Sequence, residues 1–188
     1  MELKVKESVY EPMEDSTMLL KEIKTRANGK VVLDMGTGSG IQAITAAKAG
    51  AKEVWAADIN PKAVECTKEN VVTNKVEVNI IESNLFENVP DKKFDLIVFN
   101  PPYLPSDGLN DDLRWSGGMD GIEIILEFFS RVGAFMSKGA EVLFIYSSHA
   151  DPDRLKRVLG EWGFKLKVIT KKHIFFEDIY LSSASRNK

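Results

Sequence analysis

The chain has 188 residues, of which 44% are apolar and 28% are charged, a composition typical of one soluble globular domain. Its formal net charge of −3 argues mildly against a broad nucleic-acid-binding face, and its one cysteine excludes an internal disulfide and a cysteine-built metal site. No apolar run is long enough to span a membrane and the first residues lack a signal-peptide core, so a cytoplasmic protein is expected. The two histidines are far apart in sequence and have no metal-ligand spacing, so no metal is expected.

The first 29 residues predict an extended segment followed by a helix. Residues 1–13 have an extended pattern, and a helix is expected over residues 17–26. Asp15 and Ser16 are suited to its N-cap, because short polar side chains accept hydrogen bonds from the free N–H groups of a first turn. Asn28 and Gly29 then form a helix-ending pair.

From Val31 onward the chain alternates between strand and helix patterns. Strands are predicted over residues 31–35, 53–58, 76–81, 96–99 and 141–146, and helices after the first strand to about Gly50 and over 61–74, 120–136 and 151–162. The last two runs, 166–170 and 174–181, have no helix between them and predict an antiparallel pair at the sheet edge. This order predicts an α/β fold with a doubly wound, mostly parallel seven-stranded sheet, and residues 1–188 are expected to form one domain.

Glycine and acidic residues follow the first two predicted strands. Gly36, Gly38 and Gly40 let the backbone pass close to a ligand and aim N–H groups at it, and Asp58 is placed to accept hydrogen bonds from ribose hydroxyls. The spacing is G-x-G-x-G rather than the dinucleotide fingerprint G-x-G-x-x-G, which disfavours a nicotinamide-dependent oxidoreductase. Asp34 precedes the loop and can receive a positive charge, which favours a sulfonium-bearing nucleoside.

The apolar run 96–99 stops at Asn100, Pro101, Pro102 and Tyr103. Two prolines remove two backbone donors and fix two φ angles, so the strand cannot continue. The corner presents an amide oxygen and a carbonyl, which suit the two donors of a planar NH2 group, and a ring that can stack on its plane. A plain strand-to-loop turn is the alternative, because Asn-Pro is common in turns.

Taken together, these residues resemble the motifs of class I S-adenosylmethionine-dependent methyltransferases, and among them the HemK-like glutamine methyltransferases that modify peptide-chain release factors. Residues 9–16, 115–121 and 176–180 resemble further signatures of the short archaeal and eukaryotic branch of that family. The resemblance spans nearly the whole chain, without the N-terminal helical domain of bacterial relatives.

The resemblance implies a Rossmann-like methyltransferase fold with S-adenosylmethionine as cofactor and S-adenosylhomocysteine as product. The implied cofactor-binding residues are Asp15, Ser16, Asp34, Gly36, Gly38, Gly40, Asp58, Asn84, Leu85 and Asn100, and the implied catalytic residues are Asn100, Pro101, Pro102 and Tyr103. Residues 1–28 would then lie over the cofactor. Asn84 stands where relatives usually have an acidic residue, which implies weaker or altered adenine binding.

Methylation of a glutamine side-chain amide, in the Gly-Gly-Gln loop of a release factor, is therefore the expected reaction. Arg114 and Trp115, in the loop after this motif, are candidate substrate contacts. The resemblance also implies a small zinc-binding activator protein on the edge strand between Val76 and Ile81. An exocyclic amine of adenine in RNA or DNA is the alternative substrate, although the chain has no added recognition domain or basic excess. A non-catalytic protein that keeps the cofactor pocket is a third possibility, against which the intact Asn-Pro-Pro-Tyr argues.

Overall fold

The helices and strands follow one another in the predicted alternation. A computed structural model describes residues 1–102, 122–174 and 177–186. Its elements are α1 Glu14–Arg26, β1 Val31–Met35, α2 Ile41–Lys48, β2 Glu53–Asp58, α3 Pro61–Asn74, β3 Asn79–Glu82, β4 Phe94–Phe99, α4 Glu123–Val132, β5 Met136–Ser147, α5 Pro152–Glu161, β6 Phe164–Ile174 and β7 Glu177–Arg186. Within these ranges, none of the helices has the length and apolar character needed to cross a bilayer.

The strands in the described ranges form one seven-stranded sheet in the order β3-β2-β1-β4-β5-β7-β6. The first five in this order pair in parallel, and β7 runs antiparallel to both β5 and β6. The mostly parallel sheet and its antiparallel carboxyl-terminal pair are therefore confirmed. The chain winds outward from β1 to β2 on one side and from β4 to β5 on the other, which puts the topological switch point between β1 and β4.

Successive residues of the central strands pack on opposite faces of the sheet. Leu33 and Phe99 belong to a buried cluster with residues of α4 and α5, whereas Val32 and Val98 belong to a cluster with residues of α1 and α2. Burial on both faces explains why these strands are almost continuously apolar, since a parallel sheet covered by helices has no solvent side.

The N-terminal segment is fastened along α3 by two asparagine side chains. Asn74 accepts from the Glu2 N–H at 3.3 Å and donates to the Glu2 carbonyl at 2.5 Å. Asn70 accepts from the Lys4 N–H at 2.9 Å and donates to the Lys4 carbonyl at 2.8 Å. Each amide thus satisfies the backbone donor and acceptor of one residue, as a neighbouring strand would. The extended segment therefore has a fixed course toward the carboxyl end of β2.

Two predicted element starts are wrong, the first at a helix without a side-chain cap and the second after the C-cap of a helix. Helix α1 begins at Glu14 rather than at residue 17, and its N-cap is Met13, which makes no side-chain capping bond. Strand β3 begins at Asn79 rather than Val76. Residues 76–78, two of which are valines, follow Lys75, the left-handed C-cap of α3 at φ 54°. The Val76 N–H still donates to the Val71 carbonyl at 3.3 Å, so Val76 belongs to the end of the helix.

A third boundary is wrong because a distant strand competes for the residues. Helix α4 ends at Val132, and Met136, expected in this helix, is the first residue of β5. Met136 pairs with Phe94 of β4, and a register irregularity between Phe94 and Leu96 follows at once. The predicted start of this helix, at residue 120, lies outside the described residues.

Candidate active site

Residues after the carboxyl ends of β1, β2, β3 and β4 meet in one place. Because Met35 pairs with Phe99, Gly36 and Asn100 are neighbours across the switch point. A Cβ added to Gly36 would lie 3.9 Å from the Asn100 carbonyl oxygen. The glycine loop and the Asn-Pro-Pro corner therefore border the same crevice.

The glycine loop is closed on one side and open on the other. Gly36, Gly38 and Gly40 have φ of 66°, 56° and 82°, in the left-handed region that favours glycine. A Cβ at Gly40 would come within 2.9 Å of Thr67 Cγ2, whereas a Cβ at Gly38 would meet no atom within 4 Å. The α3 side of the loop is thus in contact with Thr67, and at Gly38 the backbone is accessible to a ligand.

Asp34 holds this loop to the first turn of α2. Its Oδ2 accepts from Thr37 Oγ1 at 2.7 Å and from the Ala43 N–H at 3.1 Å. Burial raises the pKa of the Asp34 carboxyl from 3.8 to about 7, the bonds from Thr37 and Ala43 oppose that rise, and the charge of Asp58 adds to it. An ionised Asp34 is consequently costly at this buried position and favours a cation nearby.

The raised pKa of Asp34 predicts a pH dependence of stability. The unfolded chain loses this proton near pH 3.8 and the folded protein keeps it to about pH 7, so the free energy of unfolding falls as pH rises through that window. Between pH 5 and 8, we expect the free energy of unfolding of wild type to fall by about 3 kcal/mol more than that of Asp34→Asn, whose side chain has no proton to lose. Denaturant unfolding of both proteins across this range measures the difference, and parallel curves would contradict the prediction.

Asp58 lies between the glycine loop and the turn after β3. Its Oδ2 accepts from the Gly38 N–H and its Oδ1 from the Asn60 N–H, both at 2.9 Å. Burial raises the pKa of this carboxyl, and the N–H groups of Asn60, Gly38 and Ile59 oppose the rise. Each carboxylate oxygen has a second lone pair, so the group can still accept from a pair of neighbouring hydroxyls.

The turn after β3 is built by Ser83 and adjoins Asp58. The Ser83 N–H donates to the Asp58 carbonyl at 2.8 Å, and its hydroxyl donates to the Leu85 carbonyl at 2.7 Å. Leu85 is buried with φ 46°, a strained value for a leucine. Asn84 Nδ2 donates to Glu87 Oε1 at 3.0 Å, which turns the amide nitrogen toward Glu87.

Asn100 has its amide nitrogen and its amide oxygen in different surroundings. Its Nδ2 donates to Asp15 Oδ2 at 2.9 Å and to Ser16 Oγ at 3.4 Å. Its Oδ1 is buried and has no hydrogen-bond partner among the described residues. A buried acceptor without a donor costs free energy, so the site is suited to a ligand that brings an N–H group.

The N-cap interpretation of Asp15 and Ser16 is wrong. Both lie inside the first turn of α1, are almost fully buried and meet Asn100 instead of capping the helix. Pro101, which is buried, and half-buried Pro102 follow Asn100. Tyr103 lies outside the described residues, as do Arg114 and Trp115.

The residues around the crevice fit an adenosyl cofactor. A Cβ at Gly38 would meet nothing within 4 Å, and the Asp58 carboxylate suits a diol. Within the described ranges, the buried Oδ1 of Asn100 is an acceptor without a donor, at the corner that borders the glycine loop. A ligand with several polar groups and one close approach to backbone matches this arrangement.

Two residues that support the crevice, Asn70 and Tyr10, were not predicted from the sequence. Asn70 is fully buried and donates to the Ser39 carbonyl at 2.9 Å, which ties the N-terminal segment to the glycine loop. Tyr10 donates its hydroxyl to Asp15 Oδ1 at 2.8 Å. An asparagine at a buried position of α3, among Ala63, Cys66 and Thr67, was the available signal for Asn70.

Comparison with known proteins gives relatives over nearly the whole chain. The family described as methyltransferase small domain matches residues 11–161. A Methanocaldococcus jannaschii protein, whose name proposes that it is a protein N5-glutamine methyltransferase, is 40% identical over 98% of this chain and 95% of its own length. Human methyltransferase HEMK2 is 30% identical over 84% of this chain and 80% of that protein.

A solved structure with a known assembly shares the fold. It is the E. cuniculi Mtq2–Trm112 complex, responsible for the methylation of the eRF1 translation termination factor. The likeness covers 96% of this chain and 100% of that chain, with a TM-score of 0.79 and 25% sequence identity.

Proposed function

The chain belongs to the methyltransferase small domain family and within it to the HemK-like glutamine methyltransferases, and from this we infer that it methylates a glutamine side-chain amide in a protein, namely in the Gly-Gly-Gln loop of a peptide-chain release factor. The cofactor is S-adenosylmethionine. The observation that carries the inference is the buried Oδ1 of Asn100, which finds no donor within the part of the chain that the structure describes, at the corner that borders the glycine loop. An amide NH2 group brings the donor that this acceptor lacks.

S-adenosylmethionine supplies, when bound, an electrophilic methyl group on a sulfonium and leaves as S-adenosylhomocysteine. We propose that Asp58 holds the ribose hydroxyls and that the turn of Asn84 and Leu85 holds the adenine. The remaining residues of the proposed cofactor site surround the methionine part and are Gly36, Gly38, Gly40, Asp34, Asp15, Ser16 and Asn100. The carboxylate, amide and hydroxyl oxygens among these residues are acceptors that suit the hydroxyls, the amine and the positive charge of S-adenosylmethionine.

Asn100 and Pro101 are proposed to orient the glutamine. An amide nitrogen is a poor nucleophile because its lone pair is delocalised into the carbonyl. Asn100 Oδ1 and the Pro101 carbonyl each accept a hydrogen bond from one N–H of the substrate NH2 group. The lone pair of the substrate nitrogen is thereby directed toward the methyl group. Such orientation supplies up to about 7–11 kcal/mol of barrier reduction. Both acceptors stabilise the positive charge that develops on nitrogen, and this charge is removed when the methylated amide loses one N–H proton to solvent. Pro102 stiffens the corner and Tyr103 stacks on the amide plane in this proposal.

The competing substrate, an exocyclic amine of adenine, presents the same NH2 group. The experiment that distinguishes the glutamine substrate from the adenine substrate is transfer of labelled methyl groups from S-adenosylmethionine to a release factor, and in parallel to RNA and DNA. We expect label on the protein and not on the nucleic acids. Label on nucleic acid alone would replace the proposal by its alternative.

We further propose that residues 1–188 act as one cytoplasmic methyltransferase domain, with residues 1–28 over the cofactor site, and that a small zinc-binding activator covers the β3 edge. Strand β3 ends the sheet of the described residues and pairs only with β2 there. Beside it, Val72 is 77% exposed, and Val76, Val78 and Ile80 are only partly buried. An open strand edge with exposed apolar side chains suits a protein partner.

Val72→Asp is expected to weaken binding of this activator. A charge placed in a desolvated apolar contact costs roughly 1–3 kcal/mol, or about tenfold or more in affinity. Titration of wild type and variant with Trm112 of the same organism measures the change. Val168→Asp is the matched control, because Val168 is also exposed but lies on β6 at the opposite end of the sheet. Equal losses in both variants, or none in Val72→Asp, would argue against this surface.

A further inference from the structure

The carboxamide of Asn100 ends in two groups of opposite hydrogen-bonding character. Its NH2 group donates and its oxygen accepts, and a half-turn of the amide exchanges them with almost no change in shape. The direction of the amide therefore decides whether the crevice offers an acceptor or a donor to a substrate. One of the two directions must be imposed by a neighbour.

Asp15 is the neighbour that imposes it. Its carboxylate is 2% exposed and accepts from Asn100 Nδ2 at 2.9 Å. An ionised carboxylate only accepts hydrogen bonds, so the turned amide would set oxygen against oxygen. Ser16 Oγ, at 3.4 Å from the same nitrogen, both donates and accepts and cannot select a direction.

The carboxylate is itself held in place. Asp15 Oδ1 accepts from the Tyr10 hydroxyl at 2.8 Å and from the Ser16 N–H at 2.5 Å. Its other oxygen, Oδ2, is the one that meets Asn100. The amide nitrogen is therefore directed toward α1, and Oδ1 is the buried atom for which the described residues offer no donor.

We propose that Asp15 is a positioning residue that sets the specificity for an amide over an acid or ester. It acts through Asn100, whose Oδ1 then accepts from a substrate N–H and repels a substrate that offers only oxygen. This inference rests on the function proposed above. It assigns to α1 a part in substrate choice in addition to its place beside the cofactor site.

The test compares the binding of two peptides in the presence of S-adenosylhomocysteine. One contains Gly-Gly-Gln, and in the other the glutamine is replaced by glutamate γ-methyl ester, which is neutral and has no N–H to donate. Wild type is expected to prefer the glutamine peptide. In Asp15→Asn the new amide can pair with Asn100 in either direction, and the preference is expected to fall about tenfold, the value of one hydrogen bond to a charged group.

Controls separate positioning from damage to the fold. Glu14→Gln removes the same charge from the exposed side of the same turn and is expected to keep the preference. Affinity for S-adenosylhomocysteine and thermal unfolding show whether Asp15→Asn is folded, and Asp15→Ser provides a smaller neutral variant if it is not. General damage would weaken both peptides alike and leave their ratio unchanged.

The two possible failures are distinguishable. A preference that survives in folded Asp15→Asn or Asp15→Ser overturns the role of Asp15 and leaves the proposed function standing. A wild-type protein that does not prefer glutamine over its ester contradicts the proposed function as well.

Discussion

Asn100→Ala is expected to reduce methyl transfer by about 10²–10³-fold or more, the range found when one group that stabilises developing charge is removed from an active site. The variant lacks the Oδ1 acceptor, so one of the two substrate N–H bonds has no partner and the nitrogen is no longer held in line. The affinity for S-adenosylmethionine is expected to fall much less than the transfer rate, because Asn100 is one of several residues around the methionine part and the glycine loop and Asp58 stay intact. Single-turnover kinetics at saturating cofactor, together with calorimetry, separate the two quantities.

The matched control is Asn79→Ala. Asn79 is exposed at the start of β3 and donates to the Val54 carbonyl at 3.2 Å, away from the crevice. Because Asn79 lies on the strand that the activator is proposed to cover, both variants are compared with this activator at a saturating concentration, and the loss of the Asn79 side chain is then expected to leave transfer within about twofold of wild type. Turnover that survives in Asn100→Ala would refute the mechanism even if the reaction is confirmed.

Asp58→Ala is expected to lower the affinity for S-adenosylmethionine by at least about a hundredfold. Two hydrogen bonds from ribose hydroxyls to a carboxylate are worth about 1.5–3 kcal/mol each. The Gly38 and Asn60 N–H groups also lose their acceptor, so the loop nearest the ligand loses support. Calorimetric titration with the cofactor and with S-adenosylhomocysteine measures the effect.

Glu82→Ala is the control for Asp58. Glu82 ends β3 as Asp58 ends β2, and the two residues are partners in the sheet register, but Glu82 is exposed. Its removal is expected to leave cofactor affinity unchanged. If Asp58→Ala remained folded and still bound the cofactor as wild type does, the ribose assignment would be wrong.

Elements with strong local signals were predictable from the sequence. Strand β2 and helix α3 have the predicted limits, because Asn60 caps the helix by accepting from the Lys62 N–H at 2.9 Å and Pro61 occupies its first turn. The antiparallel pair was predictable because no helix pattern separates its two runs. In these places local preference and the fold agree.

The errors occur where distant residues decide the structure. Asp15 and Ser16 have the local chemistry of an N-cap, yet they lie against Asn100, about 85 positions further along the chain. Met136 follows a helical pattern but pairs with Phe94. No periodicity reports such contacts. The grouping of Gly36, Asp58 and Asn100 was predictable from strand order, whereas only the family resemblance put Asp15 at the same site, and the bond between Asp15 and Asn100 was not predicted.

The decisive measurement is mass spectrometry of a release factor after incubation with this protein and S-adenosylmethionine, with and without the proposed activator. We predict the mass of one methyl group on the glutamine of the Gly-Gly-Gln loop, and none when Asn100→Ala replaces the wild type. An unmodified glutamine in a reaction that methylates adenine in RNA or DNA, or a methyl group on a different residue of the release factor, would contradict the proposed function.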